Sequence, residues 1–174
     1  HEVAHGYAAL KYGDTTAKYA GRLTLNPLKH LDLYGSVIIP LLLVITNAPF
    51  LIGWAKPVPY NPNNFRPEDR RAGTFWVASA GILANLALAV FFGLVIRSAG
   101  AFSFIPVSII PLASVIVLIN IILALFNLIP IVPLDGSKIL FTILGYRARK
   151  VEIFLQRFSS LLIIIFILFL WQYL

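Results

Sequence analysis

The sequence predicts an all-α membrane protein, a polytopic helical bundle with a re-entrant or additional membrane segment and a proline-rich loop. Three observations support this fold class. Of the 174 residues, 59% are hydrophobic and 12% are charged, whereas soluble domains contain about 25% charged residues. Apolar runs of spanning length recur along the chain. Lysine and arginine are concentrated in the short segments between these runs.

The order of apolar and polar segments predicts each element in turn. Residues 1–12 are expected to be the last turns of a helix, because the chain has no methionine and we expect an N-terminal part to be missing. Spanning helices are predicted at Thr74–Ile96 and at about Pro111–Leu128, and a final apolar run covers Phe158–Leu174. Each crossing needs about 20 apolar residues. The segments therefore use the whole chain, and we expect one membrane domain over residues 1–174.

The apolar run Leu33–Trp54 has two interpretations. It is about long enough to cross a membrane, but it contains Pro40, Asn47 and Pro49. Such residues are best tolerated where protein or a cavity satisfies the backbone. We favour a re-entrant segment over a true span. The proline-rich stretch after it, Gly53–Gly73, has no helical periodicity and is predicted to be an ordered loop or short extended structure.

Charge placement predicts the orientation in the membrane. Cations are concentrated in the Lys11–Asp32 stretch, in the Gly53–Gly73 loop and in the segment before the last apolar run. Because lysine and arginine accumulate on the cytoplasmic side, all three segments are predicted to be cytoplasmic, and the charge-poor connection 97–106 external. The net charge of +7 is explained by this retention, so we expect no nucleic-acid partner. Cysteine is absent, which excludes thiolate metal sites and thiol nucleophiles.

The first five residues, HEVAH, carry the clearest chemical signal. On an α-helix, His1 and His5 lie on one face, one turn apart, where both imidazoles can reach one metal ion. Glu2 is adjacent and can accept a proton from an attacking water, as a hydrolytic zinc site requires. In a soluble helix the same residues can simply be polar side chains that are exposed to solvent. Ionisable groups at the edge of an apolar helix are functional candidates by default.

A third metal ligand is needed, and Asp135 is the best candidate. It directly follows a spanning helix and precedes Gly136, which allows a close backbone turn. An Asp-Gly turn or a helix cap would also explain it. His30 and the other carboxylates have polar or basic neighbours, and a solvated side chain is the default there. By the predicted topology, Asp135 and the two histidines lie near the same cytoplasmic face.

Three motifs in order resemble the site-2 protease family of intramembrane zinc metalloproteases, in particular its short bacterial and archaeal subgroup without an inserted PDZ domain. They are HEVAH, SAGILANLALA and FNLIPIVPLDGSKIL. The resemblance implies one Zn²⁺ bound by His1, His5 and Asp135, with Glu2 as the general base and acid. It also implies that Asn85 and Asn127 hold substrate or stabilise the oxyanion. Ile82 departs from the usual Ala-Gly-Pro of the central motif, which weakens the expectation of a kink.

The asparagines can equally be interhelical hydrogen-bonding residues among small side chains. The family implies hydrolysis of peptide bonds in or near transmembrane segments of single-span substrates, that is, regulated intramembrane proteolysis. It also implies an integral protein of a prokaryotic cell membrane with its active site nearer the cytoplasmic face. Two alternatives stay open: a membrane metal-binding or transport protein, and an inactive family member that acts as a binding module. The sequence does not indicate an oligomeric state.

Overall fold

The computed structural model describes residues 1–49, 51, 53–99, 106, 108–159, 161, 162 and 165. Regular structure in these residues is helical throughout, which confirms the all-α prediction. The α-helices are α1 (Glu2–Lys11), α2 (Thr16–Tyr19), α3 (Ile39–Ile45), α4 (Arg70–Ser98), α5 (Ile109–Leu128), α6 (Asp135–Leu144) and α7 (Arg149–Arg157). A π-helical stretch, Leu33–Ile38, leads into α3, and 3₁₀ turns occupy Pro27–His30, Pro62–Asn64, Pro67–Asp69 and Gly145–Ala148.

The chain divides into two compact units. The first unit comprises Glu2–Arg70, and the second comprises Arg71–Leu174 together with His1. The first unit therefore holds α1, the α3 hairpin and the proline-rich loop, whereas the second holds the long apolar helices.

The helices α4 and α5 are long and apolar enough to cross a membrane. At 1.5 Å per residue they are about 43 Å and 30 Å long, against a hydrocarbon thickness of about 30 Å. Only 28% and 11% of their most apolar windows are buried within the protein, so most of these side chains face outward, as lipid-facing side chains do. Both predicted spans lie inside these helices. Most of the connection 97–106 and of the run Phe158–Leu174 lies outside the described residues.

The helix α4 begins at Arg70, four residues before the predicted start at Thr74. Pro67 opens the preceding 3₁₀ turn, and Glu68 and Asp69 are acidic residues in that turn. Proline at a first helical position and acidic residues near a helix N-terminus both favour helix initiation. These local signals extend the helix beyond its apolar part.

The segment Leu33–Trp54 forms a hairpin. Its helical part ends at Ile45 after 13 residues, or about 20 Å, which is too short to cross. The chain turns at Asn47, whose φ is 49°, and returns until the Trp54 amide donates to the Gly35 carbonyl at 3.1 Å. A side chain at Gly35 would overlap the Trp54 indole. This shape favours the re-entrant alternative over a straight crossing, and re-entry into a membrane stays a prediction.

Candidate metal centre

The HEVAH residues come together at the start of α1. His1 immediately precedes the helix, and ligand atoms of His1, Glu2 and His5 all lie within 4.8 Å of one another. His5 is buried. The next residue, Gly6, packs closely against its neighbours: a Cβ at this position would lie 3.0 Å from Val58 Cγ1 and even closer to Leu23. The i, i+4 spacing therefore produces the cluster that the sequence predicts.

Asp135 is the first residue of α6, and its position depends on close backbone packing. A Cβ on Gly136 would lie 2.5 Å from the Leu128 carbonyl carbon, 2.6 Å from the Ile129 oxygen and closer still to the Leu128 oxygen. Gly136 is thus required because the end of α5 passes against it. The prediction of a close Asp-Gly turn is wrong in this respect, because Asp135 and Gly136 are the first two residues of α6, and among the described glycines those with positive φ are Gly13, Gly21 and Gly145.

The Asp135 carboxylate is 5% exposed and has two cationic or polar neighbours in the second unit. Its Oδ2 lies 3.2 Å from His1 Nε2, and its Oδ1 accepts a hydrogen bond of 3.1 Å from Lys138 Nζ. The side chain is therefore directed to His1 and Lys138. Residue Leu134 is the N-cap of α6 and makes no side-chain cap, so the helix-cap explanation of Asp135 is not supported.

The separation of His1 Nε2 and Asp135 Oδ2 fits a shared zinc ion. Two ligand atoms that each lie about 2.0–2.1 Å from a tetrahedral zinc are about 3.4 Å apart, close to the 3.2 Å of this pair. Imidazole and carboxylate are also the donors that zinc accepts. His1 and Asp135 therefore fit the metal that the sequence predicts, whereas the cluster of ligand atoms that lie within 4.8 Å of one another contains His1, Glu2 and His5 and does not include Asp135.

The predicted asparagines have different surroundings. Asn85 is 2% exposed, and its Nδ2 lies 3.3 Å from His1 Nδ1. The Asn127 amide donates to the Leu123 carbonyl of its own helix at 3.0 Å. His30 is half-buried rather than solvated: its Nε2 lies 2.9 Å from the Thr24 carbonyl oxygen, which occupies that nitrogen.

Glu2 is held by the proline-rich loop. The Val58 amide donates to Glu2 Oε2 at 2.8 Å, and Val58 itself is buried. The sequence reasoning missed both this contact and Lys138. Lys138 had a local signal, because it stands three residues after Asp135 on a helix. Val58 had none, because its amide is brought to Glu2 by chain folding alone.

Asp14 fixes the downstream end of the same loop. It is fully buried, and it accepts hydrogen bonds from the Asn61 amide at 2.6 Å, from Asn64 Nδ2 at 2.8 Å and from the amide and hydroxyl of Thr16. Burial raises the pKa of the Asp14 carboxyl, but the hydrogen bonds outweigh it and hold the pKa below its ordinary value of 3.8. The ionised carboxylate therefore ties the loop to the end of α1.

Comparison with known proteins defines the class first. The protein named "Putative zinc metalloprotease YwhC", from Bacillus subtilis (strain 168), is 42% identical over 162 residues, which cover 87% of this chain and 68% of that protein. The chain is therefore related to proteins of the zinc metalloprotease class. The profile of Peptidase family M50 matches residues 103–170, which include Asp135. The chain belongs to this family, the membrane-associated site-2 proteases. No solved structure matches it.

Proposed function

We propose that the protein is an intramembrane metalloprotease that binds one Zn²⁺ through His1, His5 and Asp135 and hydrolyses peptide bonds in or near transmembrane segments of single-span proteins. The observation that carries the proposal is the 3.2 Å approach of His1 Nε2 to Asp135 Oδ2, residues separated by more than a hundred positions. The HEVAH cluster supplies the second histidine and the glutamate.

The depth of this pair supports hydrolysis inside the bilayer. His1 contacts Asn85, which stands ten residues after Phe75 and eleven before Ile96 in the apolar part of α4. At 1.5 Å per residue, Asn85 is about 15 Å from either end. At the other end of α6, Arg71 donates to the carbonyl oxygens of Thr142 at 2.9 Å and Ile143 at 2.8 Å. One end of α6 thus lies at the polar start of α4, and the other end lies at the middle of the apolar part of α4.

The chemistry is divided among a few side chains. Zinc, when bound, supplies a Lewis acid that acidifies water and polarises a carbonyl. Glu2 accepts the proton of the attacking water and transfers it to the leaving amine. The Val58 amide orients the Glu2 carboxylate by occupying Oε2.

Two further side chains orient the ligands. Asn85 touches the second ring nitrogen of His1, and an amide can serve there as either a donor or an acceptor. Lys138 occupies Oδ1 of Asp135 and leaves Oδ2 directed to His1. Metal ligands are commonly fixed by such partners. A substrate or oxyanion role for Asn85 and Asn127 stays part of the proposal, with Asn85 the better supported.

The extended loop segment Trp54–Tyr60 is proposed to receive the unwound substrate. Alternate residues bond inward: the amides of Trp54, Lys56 and Val58 donate to Gly35, His30 and Glu2 respectively. The intervening residues Ala55, Pro57 and Pro59 are exposed, as are Trp54 and Lys56; from the alternation of the hydrogen-bonded amides we propose that the backbone groups of Ala55, Pro57 and Pro59 face outward, as they would in an extended strand. Because proline has no N–H, this edge offers carbonyl acceptors and a single donor. A substrate strand would therefore bind mainly through its own N–H groups.

Cross-linking tests the loop proposal. A photoreactive residue at Ala55, which is outward, is expected to capture a substrate segment, while the same residue at the inward Val58 is not. Lack of capture across residues 53–62 would overturn this part of the proposal and leave the zinc chemistry intact.

Orientation in the membrane is tested by labelling. The chain has no cysteine, so single cysteines at Ser98 and Tyr146 each report one position. We propose a prokaryotic cell membrane with the proline-rich loop and Tyr146 on the cytoplasmic side. Ser98→Cys should react with an impermeant reagent added outside, and Tyr146→Cys only after permeabilisation. The reverse pattern would invert the proposed topology.

The decisive experiment compares wild type and Glu2→Gln on a panel of single-span substrates, with zinc content measured in parallel. Glutamine keeps an oxygen that can accept from Val58 N, so the loop contact is retained. We expect Glu2→Gln to keep zinc and to lose cleavage. A transporter has no need of Glu2, and an inactive binding module would show no cleavage by either protein. Equal cleavage by both would defeat the proposed mechanism.

A further inference from the structure

The helix α7 has one apolar face, and its opposite face is charged and polar apart from Ile153, which is 59% exposed. Val151, Phe154 and Leu155 follow an i, i+3, i+4 pattern and cover about 100° of the helix circumference, and Phe158 directly follows the helix. Val151 is 53% exposed and Phe154 62%. A helix that packs this stripe into a protein core would bury it. Within the described residues, most of the stripe is open.

By itself α7 is too short to cross a membrane, and the described residues 159, 161, 162 and 165 after it are again helical. It has nine residues, or about 14 Å, against about 30 Å for the hydrocarbon core. It ends at Arg157, and Phe158, with φ −108° and ψ 14°, departs from helical geometry. A short amphipathic helix with a basic polar face is typical of a segment that lies in the membrane–water interface.

The charges of α7 indicate which surface it contacts. Lys150 and Arg157 are seven residues apart and lie on the same border of the apolar face, where long cationic side chains can extend to phosphate groups. The one carboxylate of the helix, Glu152, is on the opposite border and accepts a hydrogen bond of 3.3 Å from Gln156. Lys150 and Arg157 are thus separated from Glu152 across the helix, and the third cation, Arg149, lies on the polar face between these two borders.

We propose that α7 lies in the interface and that Lys150 and Arg157 bind the phosphate groups of anionic phospholipids, with Phe154 and its neighbours inserted among the acyl chains. This goes beyond the proposed hydrolysis, because it assigns a lipid contact to a segment that carries no ligand or general base. It rests on the membrane location of the protein and is independent of the proposed role of Glu2.

The insertion is tested with the full chain reconstituted in vesicles of phosphatidylcholine, with and without phosphatidylglycerol. An environment-sensitive fluorophore on Phe154→Cys should show the emission of an apolar site in both vesicles. The same fluorophore on Gln156→Cys, on the polar face, should show that of water. Aqueous emission at Phe154 would overturn the proposal. The proposal would also be overturned if the apolar emission at Phe154→Cys disappeared when the protein was diluted in the bilayer, because a second copy of the protein, and not lipid, would then cover the apolar face.

The lipid preference is tested with spin-labelled phosphatidylglycerol and phosphatidylcholine, whose motional restriction by the protein is measured by electron paramagnetic resonance. Wild type should prefer phosphatidylglycerol. Each of Lys150→Gln and Arg157→Gln should weaken that preference about fivefold, which corresponds to about 1 kcal/mol per cation near an anionic surface. The control Lys18→Gln, an exposed cation in α2, should leave it unchanged. An equal effect of all three, or of none, would overturn the proposal.

Discussion

Replacement of Gly136 by alanine is the sharpest test of the site geometry. The added Cβ would lie 2.5 Å from the Leu128 carbonyl carbon, whereas ordinary contact begins at 3.4 Å. The start of α6 must therefore move by at least about 0.9 Å, and the obstructing atoms are backbone that cannot rotate away. Asp135 is the adjacent residue and moves with it. Metal–ligand distances are held to about 0.2 Å, so the Asp135 oxygen would leave its position beside His1.

We expect Gly136→Ala to lower zinc affinity at least about tenfold and kcat/KM about a hundredfold, the usual cost of a 1 Å misplacement. Zinc affinity is measured by competition with a chelator, and cleavage with a single-span substrate. The matched control is Gly93→Ala, because Gly93 is a helical glycine with nothing within 4 Å of an added Cβ. It should leave both values unchanged and raise stability by about 0.5–1 kcal/mol. Wild-type zinc binding by Gly136→Ala would refute the reasoning.

Three further predictions follow from the same contacts. Lys138→Met should lower zinc affinity about 10–100-fold, because Asp135 loses its orienting partner. Lys138→Arg should restore most of that affinity in the chelator assay, and unchanged zinc affinity in Lys138→Met would contradict the positioning role. Because the pKa of Asp14 is lowered in the folded protein, its ionised carboxylate stabilises the fold at pH values above the ordinary carboxyl pKa, and this contribution is lost as pH falls below about 4. The melting temperature of Asp14→Asn should therefore depend less on pH between about 5 and 2 than that of wild type. Arg71→Gln should lower stability in detergent by about 1–2 kcal/mol, because two carbonyl groups at the end of α6 lose their cationic donor; an unchanged melting temperature would mean that the contact is not stabilising.

Local sequence patterns predicted a large part of this structure. The spans at Thr74–Ile96 and Pro111–Leu128 follow from apolar length, and the HEVAH cluster follows from helical spacing, because both are properties of contiguous residues. Asp135 was selected as a candidate because a carboxylate after an apolar helix is unusual. Its contact with His1 could be expected only from the topology and the family resemblance.

Contacts set by chain folding could not be predicted in the same way. The Val58 amide is a backbone group, and every non-proline residue has one, so nothing in the sequence singles it out for Glu2. The need for Gly136 was predicted, but for the wrong cause, because a turn and a close approach by another backbone both require glycine. Asn85 was expected near the site, and it contacts His1 there; its role toward substrate or oxyanion stays a prediction. Distances between remote residues decide these cases.

The alternation of inward and outward backbone groups along the extended loop segment Trp54–Tyr60 also bears on contacts between two copies of the protein. The inward amides of Trp54, Lys56 and Val58 are engaged, and both prolines fall on the proposed outward side, where they remove donors without breaking an internal bond. If two copies approached edge to edge along this segment, the outward carbonyl groups of one copy would face those of the other. Few hydrogen bonds could then form between them, because the outward edge has few N–H donors. The segment is thus an edge that disfavours pairing with a second copy, whereas the extended substrate chain proposed above would bring the N–H groups that pairing needs.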